Sequence, residues 1–391
     1  MKLLVVSHAC CTAINQSFYA DLETETGWQV SLVIPSRWSN QYGPTDTSAR
    51  WPGLQADIKR INVFRPGSIP THLYRSWFIS LLRRQKPDAI YVHQEPYGLS
   101  SFQLCLANYL TDNKPIGFYA AQNILKAYPF PIRQIEQWVF RRSSFAFPVT
   151  QGALEVLRAK GYQHPAEVLP LAIDFGLYHP DLESKSEQRA RLGISPDRFV
   201  LGYVGRLVEE KGLNTLFEAL DQLKGVAWEL VLIGSGPFEG MLRQKAEKIN
   251  AGNGSVRFIG YVPHEETPLW LRAFDVLVLP SETRGNWKEQ FGRVLIEAMA
   301  CGTAVIGSSS GEIPNVIQAT GGGRIFPERD AAALAQDLNL LVGSPEMLRS
   351  LEYQGQRSVA ELYDQKRLVR KFAAVIDDVI SSRNHVNTPG N

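Results

Sequence analysis

Cysteine is scarce in this 391-residue chain: Cys10, Cys11, Cys105 and Cys301 form no Cys-x-x-Cys pair and match no His/Cys metal spacing. A disulfide framework is therefore not expected, and a reducing, cytoplasmic compartment suits the thiols. Cys10 and Cys11 read better as small buried packing residues than as reactive thiols. No eighteen apolar residues run together, so no membrane-spanning helix is expected. The opening run Met1-Lys2-Leu3-Leu4-Val5-Val6 is cut off by Ser7 and His8, which makes it a buried strand and not a signal peptide. A dense Lys/Arg stripe with interleaved aromatics is missing and the formal net charge is only +2, which argues against a nucleic-acid partner. Low-complexity tracts, short-period repeats and an Asp-x-Asp motif are absent too.

What the chain has in quantity is apolar side chain, 44% of its residues, enough for two packed cores at this length. Short β-branched runs alternate with helical periodicity, the mark of parallel sheets covered by helices on both faces. In the first half the spacing predicts strands over 2–7, 29–35, 61–65, 89–93, 116–120 and 145–150. Helices are predicted over 72–84, 131–141 and 152–160. Residues 171–197 mix Pro, Gly and charge without a strand period and begin as a connection; the alternation then resumes from 199 to about 342, and 362–381 is helical again.

Two stretches of the second half carry chemistry. Phe199–Arg206 is a buried strand running into a Gly turn, after which Val208–Leu213 is predicted to open an amphipathic helix. Gly205 lets the backbone approach a ligand, Arg206 can fork onto phosphate oxygens and Lys211 supplies a point charge. The second stretch, Glu289-Gln290-Phe291-Gly292-Arg293-Val294-Leu295-Ile296-Glu297-Ala298, starts a helix at Gly292, where unpaired amides and the macrodipole favour an anion. Glu289 lies just ahead of that helix and Glu297 is placed about two turns inside it, so the carboxylates face different parts of one extended ligand and can accept bonds from sugar and ribose hydroxyls. Taken alone, the first stretch also fits an ordinary strand–turn–helix with solvated charges, and the second a helix with one acidic cap and one acidic surface residue.

Taken together, these residues resemble the retaining GT-B glycosyltransferases, specifically the large glycosyltransferase family four group. Ile233-Gly234-Ser235-Gly236-Pro237, Phe258–Pro263, Phe274–Ser281, Gly311-Glu312-Ile313-Pro314 and the segment 321–330 also fit that family. The resemblance covers 195–345 closely and the rest of the chain loosely. It implies an α/β GT-B fold of two doubly wound Rossmann-like domains facing a central cleft, with 1–170 binding the acceptor and 171–365 the nucleotide sugar. The segment 366–391 is then a helix packing back on the first domain, followed by a tail. By the same resemblance Glu289 takes hydroxyls of the transferred sugar, with Phe291 and Gly292 placing amides against it. Glu297 takes the ribose, Gly205, Arg293 and Val294 complete the donor set, and Ile259 and Tyr261 lie in the loop that meets the base. Catalytic weight falls on Glu289, Arg206 and Lys211.

The first half departs from the family pattern. The glycine-rich loop after the first strand is replaced by 7–16, which has no glycine, so the side chains of His8 or Asn15 are the candidates for ligand contact there. The family's strand-end His gives way to Gln122, followed by Asn123, and an amide cannot carry a proton as imidazole does. His93 and Glu95, at another strand end, offer an imidazole and a carboxylate on the acceptor side. Basic residues beside aromatics at 74–84 and 126–142 suit either a membrane face or, better, solvated helix faces. The implied activity is metal-independent, retaining transfer of a hexose-type sugar from a nucleotide diphosphate sugar to a saccharide, lipid-linked or small-molecule acceptor, with no cofactor. It is placed in the cytoplasm, with peripheral contact at the inner membrane face left open. A nucleotide-sugar epimerase or a non-catalytic nucleotide-sugar binder is the alternative.

Overall fold

The computed structural model describes residues 1–40, 43–76, 78–181, 185–223, 225–249 and 254–386. The chain divides into two compact units, one of 1–172 with the segment from Gln365 onward, the other Ile173–Asp364.

The first unit runs β1 (Lys2–Val6), α1 (Ser17–Thr26), β2 (Gln29–Pro35), β3 (Trp38–Asn40), β4 (Gly43–Thr45), β5 (Asp57–Ile61), β6 (Val63–Phe64), β7 (Leu73–Tyr74), α2 (Ile79–Gln85), β8 (Ala89–Val92), α3 (Leu99–Tyr109), β9 (Ile116–Ala120), α4 (Ile132–Arg142), β10 (Phe145–Pro148) and α5 (Gln151–Ala159). Six strands form one parallel sheet in the order β10-β9-β8-β1-β2-β5. Alternation along β1 shows why both faces must be covered: Leu3 and Val5 enter one core, Leu4 and Val6 the other.

The second unit follows the same plan with α6 (Lys185–Arg191), β11 (Phe199–Val204), α7 (Leu213–Leu220), β12 (Trp228–Ile233), α8 (Glu239–Ile249), β13 (Gly254–Gly260), α9 (Thr267–Ala273), β14 (Val276–Leu279), α10 (Arg293–Ala300), β15 (Ala304–Ser308), α11 (Ile313–Thr320), β16 (Gly323–Phe326), α12 (Ala331–Gly343) and α13 (Pro345–Leu362). Its sheet order is β13-β12-β11-β14-β15-β16, again all parallel. The last helix, α14 (Gln365–Val386), belongs to the first unit and sends Val369, Phe372 and Ile376 into the core that also holds Tyr19 and Leu22 of α1. Residues 387–391, the expected tail, lie outside the described residues.

Each sheet reads outward in both directions from its first strand, so strand order reverses between β1 and β8 in one unit and between β11 and β14 in the other. A crevice opens at the carboxyl ends of the strands at such a reversal, because the flanking loops leave in opposite directions. No described helix is long and apolar enough to cross a membrane.

Several local expectations are corrected. The third main-sheet strand is 57–61, not 61–65; its apolar continuation at 63–64 pairs antiparallel with 73–74 instead. The helix expected over 72–84 therefore begins only at Ile79. Residues 208–213 do not open a continuous helix: Glu209–Lys211 make one 3-10 turn, closed by Gly212 at φ 65°, before α7 starts. Within 171–197 a short helix, α6, forms.

Candidate active site

The reversal point of the second unit collects the charged residues. After β11 the chain passes Gly205 and Arg206 into the 3-10 turn carrying Lys211. Gly212 then runs so close to β14 that a Cβ would stand 1.8 Å from the carbonyl oxygen of Pro280, in a left-handed conformation that side-chain-bearing residues resist. This close pass sets Lys211 beside the end of β14. Its Nζ donates to Glu289 Oε2 at 2.6 Å, and Ser281 Oγ donates to the same oxygen at 2.8 Å. Glu289 is buried, as a carboxylate is only when charge and hydrogen bonds compensate its lost hydration. Its backbone is fixed as well: Glu312 N donates to Glu289 O at 3.1 Å, and Gly311, at φ 55°, leaves only 1.9 Å between that oxygen and any Cβ it might carry.

Three residues beyond Glu289, Gly292 turns at φ 76° and α10 begins. Among the described residues the amides of Phe291, Gly292, Arg293 and Val294 donate to no protein acceptor. These N–H groups and the positive end of the macrodipole form an anion-binding edge. Glu297 is the fifth residue of α10, about one turn from its start and not two. It is buried, with Arg293 Nε 2.8 Å from its Oε1 in a charge contact. Tyr178 lies against it, and burial first, then the Glu297 charge, pushes that phenol far above its ordinary range.

Arg206 is a third exposed and rests 3.3 Å from Glu210 Oε1, an i,i+4 pair that a stronger anion can displace. Ile259 is the penultimate residue of β13 and Tyr261, 55% exposed, follows the strand. Three residues beyond the sequence candidates also line this end of the sheet: Ser281, Glu282 and Trp287. Glu282 is buried and accepts from Thr215 Oγ1 at 2.9 Å and Arg284 Nη2 at 2.9 Å. The signal for Ser281 and Glu282 was their place after the apolar run 276–280, at the strand end facing the reversal.

The acceptor-side candidates lie in the first unit. His8, after β1, is 5.0 Å centroid to centroid from Trp38 and 5.6 Å from His72. Burial, with His72 and His93 nearby, lowers its pKa to about 3. His93, after β8, is lowered by burial to about 4, and its Nδ1 pairs with the Tyr19 hydroxyl at 3.0 Å. Both imidazoles are thus neutral at neutral pH. Asn15 Nδ2 donates to Ala9 O at 2.8 Å, which ties the loop after β1 to itself. Glu95 Oε1 accepts from Ala121 N at 2.8 Å, and burial pushes its carboxyl up to about 7. Gln122 Oε1 accepts from Ile124 N at 3.1 Å in a local turn, and Asn123 beside it is buried. Cys10 and Cys11 are buried, and burial raises both thiols to about 12, which suits packing and not nucleophilic work.

The family model for glycosyl transferases group 1 matches residues 184–358, inside the second unit. The chain is also 33% identical to a putative colanic acid biosynthesis glycosyltransferase, WcaL, of Salmonella typhimurium, over 84% of this chain and 80% of that protein. The chain belongs to the group 1 glycosyltransferases. A GDP-mannose-dependent phosphatidylinositol monomannoside mannosyltransferase of Corynebacterium glutamicum is 31% identical, but over 43% of this chain and 45% of that protein, so the match spans about half of that relative. The solved sucrose-phosphate synthase of Thermosynechococcus elongatus superposes with a TM-score of 0.73 at 19% identity, covering 98% of this chain and all of the other. Anabaena HepE in complex with UDP-glucose gives 0.74 at 16% identity, covering 97% and 100%. Those two likenesses establish the GT-B fold of this glycosyltransferase.

Proposed function

We propose that this glycosyltransferase moves a hexose from a nucleotide diphosphate sugar to an acceptor hydroxyl, with retention at the anomeric carbon and without a metal, in the assembly of a polysaccharide or glycolipid. The observation that carries the reading is the ion pair of Lys211 with the buried Glu289, set beside the amides of 291–294 that open α10. A sugar diphosphate has an anionic part and a hydroxylated part, and this site offers a matched surface to each. The names of the colanic acid and mannosyl relatives support the glycan or glycolipid setting. A lipid-linked acceptor would bring the enzyme to a membrane face by peripheral contact.

In the transfer the bond from the anomeric carbon to the diphosphate breaks and a bond to the acceptor oxygen forms. Negative charge grows on the leaving phosphate and positive charge on the sugar ring. Lys211, the amides of 291–294 and Arg206, once it exchanges Glu210 for the phosphate, counter the former, and with the donor bound they need no reorganisation at the moment of reaction. Glu289 orients the sugar through its hydroxyls. The acceptor proton passes to an oxygen of the departing phosphate, which keeps the reaction on one face of the sugar. Glu297 holds the ribose. His8, His93, Glu95, Gln122 and Asn123 are the acceptor-side residues, and the two neutral imidazoles serve as hydrogen-bond partners there.

The test is a thermal-shift screen of nucleotide diphosphate sugars with and without magnesium, followed by an assay of nucleotide diphosphate release with candidate acceptors. A ligand at a hundred times its Kd adds about 2.7 kcal/mol to stability, a readily read rise in midpoint. Binding without release in any acceptor mixture would favour a non-catalytic binder, and inversion of the donor sugar on its own an epimerase.

A further inference from the structure

Between the end of β14 and Glu289 the chain makes a tight excursion whose tip is Gly285-Asn286. Arg284 N donates to Trp287 O at 2.7 Å and Trp287 N to Arg284 O at 3.2 Å, so the four residues close a two-residue hairpin. The hairpin is fastened on two sides. Arg284 Nη2 reaches Glu282 Oε2 at 2.9 Å and Glu209 Oε1 at 3.3 Å, the latter on the turn that carries Lys211. Arg329 Nε bonds Glu282 at 3.2 Å while its Nη2 donates to Thr283 O at 3.1 Å. The result is a fixed platform for one large side chain, the half-buried Trp287.

The Trp287 ring sits under the Lys211 ammonium, with 5.1 Å from Nζ to the ring centroid, and Lys211 in turn binds Glu289 at 2.6 Å. An indole offers a broad apolar surface with a negative face, which attracts both a cation and the C–H groups on one side of a sugar ring. A side chain held this firmly, next to the carboxylate that would orient the sugar, is placed to read ring shape and not phosphate charge. We infer that the Arg284–Trp287 hairpin is a specificity element for the transferred sugar, with Trp287 forming one wall of the hexose subsite. The inference rests on the proposed nucleotide-sugar function of this site.

The experiment is calorimetric titration of wild type, Trp287→Ala and Trp287→Phe with UDP, GDP, UDP-glucose and GDP-mannose, with thermal unfolding of each free protein as the folding check. For whichever sugar donor binds wild type, Trp287→Ala should lose at least tenfold in affinity, while the matching nucleotide diphosphate changes less than twofold. Trp287→Phe should recover most of the loss. The ratio of kcat/KM between UDP-glucose and UDP-galactose, or between GDP-mannose and GDP-glucose, should shift severalfold in the alanine variant. Equal losses for nucleotide diphosphate and nucleotide sugar, or no loss for either, overturn the assignment of Trp287 to the sugar. Should Trp287→Ala fail to fold, Trp287→Leu takes its place in the same comparison. If no nucleotide diphosphate sugar of the thermal-shift screen binds wild type, the nucleotide-sugar reading itself fails, an outcome distinct from a wild type that binds and a Trp287→Ala that binds as well.

Discussion

Lys211 Nζ and Glu289 Oε2 stand 2.6 Å apart although 78 residues separate them in sequence. Lys211 comes from the turn after β11 and Glu289 from the segment leading into α10, and the reversal of strand order between β11 and β14 is what makes them neighbours. Removing Lys211 takes the cationic partner from a buried carboxylate that Ser281 Oγ also donates to, and breaking such a pair from one side typically costs about 3 kcal/mol. Lys211→Met is therefore expected to lower stability in urea unfolding by that order and to depress kcat/KM roughly a hundredfold in a transfer assay.

On the proposed function the two carboxylates divide the donor between them. Glu289→Ala should cut kcat about a hundredfold or more while nucleotide diphosphate affinity stays within a few-fold, since the residue addresses the sugar. Glu297→Ala should weaken nucleotide binding and leave the rate at saturating donor nearly intact. Equal and negligible losses in both variants would remove these roles.

Gly311 holds the backbone of Glu289 from behind. Gly311→Ala places a Cβ 1.9 Å from the Glu289 carbonyl oxygen at a φ of 55°, so the backbone of one must move. A loss of about 3 kcal/mol in chemical denaturation is expected, with kcat falling further than that loss alone explains, because Glu289 moves with its carbonyl. An unchanged kcat with full-strength donor binding would contradict the coupling.

Stability should depend on pH in opposite senses at two groups of the first unit. Glu95 keeps its proton up to about 7 in the folded protein against an ordinary value of 4.5, so the folded state binds a proton that the unfolded chain has released. Its contribution is most favourable below 4.5 and is lost as pH rises to about 7, on the order of 3 kcal/mol. His93 runs the other way: its pKa falls from 6.5 to about 4 on folding, so stability is lost as pH drops through that window. In thermal scans Glu95→Gln should gain on wild type steadily from pH 5 to pH 7 and hold a constant lead above it. A gap that does not change with pH would show that Glu95 does not titrate in this range.

The sequence made the second unit more legible than the first, for physical reasons. Strands such as β11 and β14 are apolar runs buried along their length, β12 is one broken only by Glu229, and α10 announces itself by Gly292 and its apolar stripe. Pairing was not legible. The sequence points Lys211 to phosphate and Glu289 to sugar hydroxyls, but spacing cannot show that they touch, because contact is decided by sheet topology. Trp287 carries no signal in the sequence, since its meaning lies in a two-residue hairpin bolted by Arg284, a tertiary arrangement without periodicity. In the first unit, Val63 and Phe64 have the β-forming character of a main strand, yet a partner at 73–74 takes them into a separate hairpin. The same pairing shortens α2 from its amino end, where local helical periodicity loses to backbone hydrogen bonds made across the chain.

The central claim is that the second unit grips a nucleotide diphosphate sugar with its pyrophosphate on Lys211, Arg206 and the first amides of α10. The most direct measurement is a crystal structure of the enzyme soaked with UDP-glucose or GDP-mannose, whichever raises the unfolding midpoint. The account predicts phosphate oxygens within hydrogen-bond distance of Lys211 Nζ, Arg206 and at least one amide of 291–294, with sugar hydroxyls on Glu289. A bound nucleotide whose phosphates lie elsewhere, leaving Lys211 and the start of α10 untouched, would contradict it.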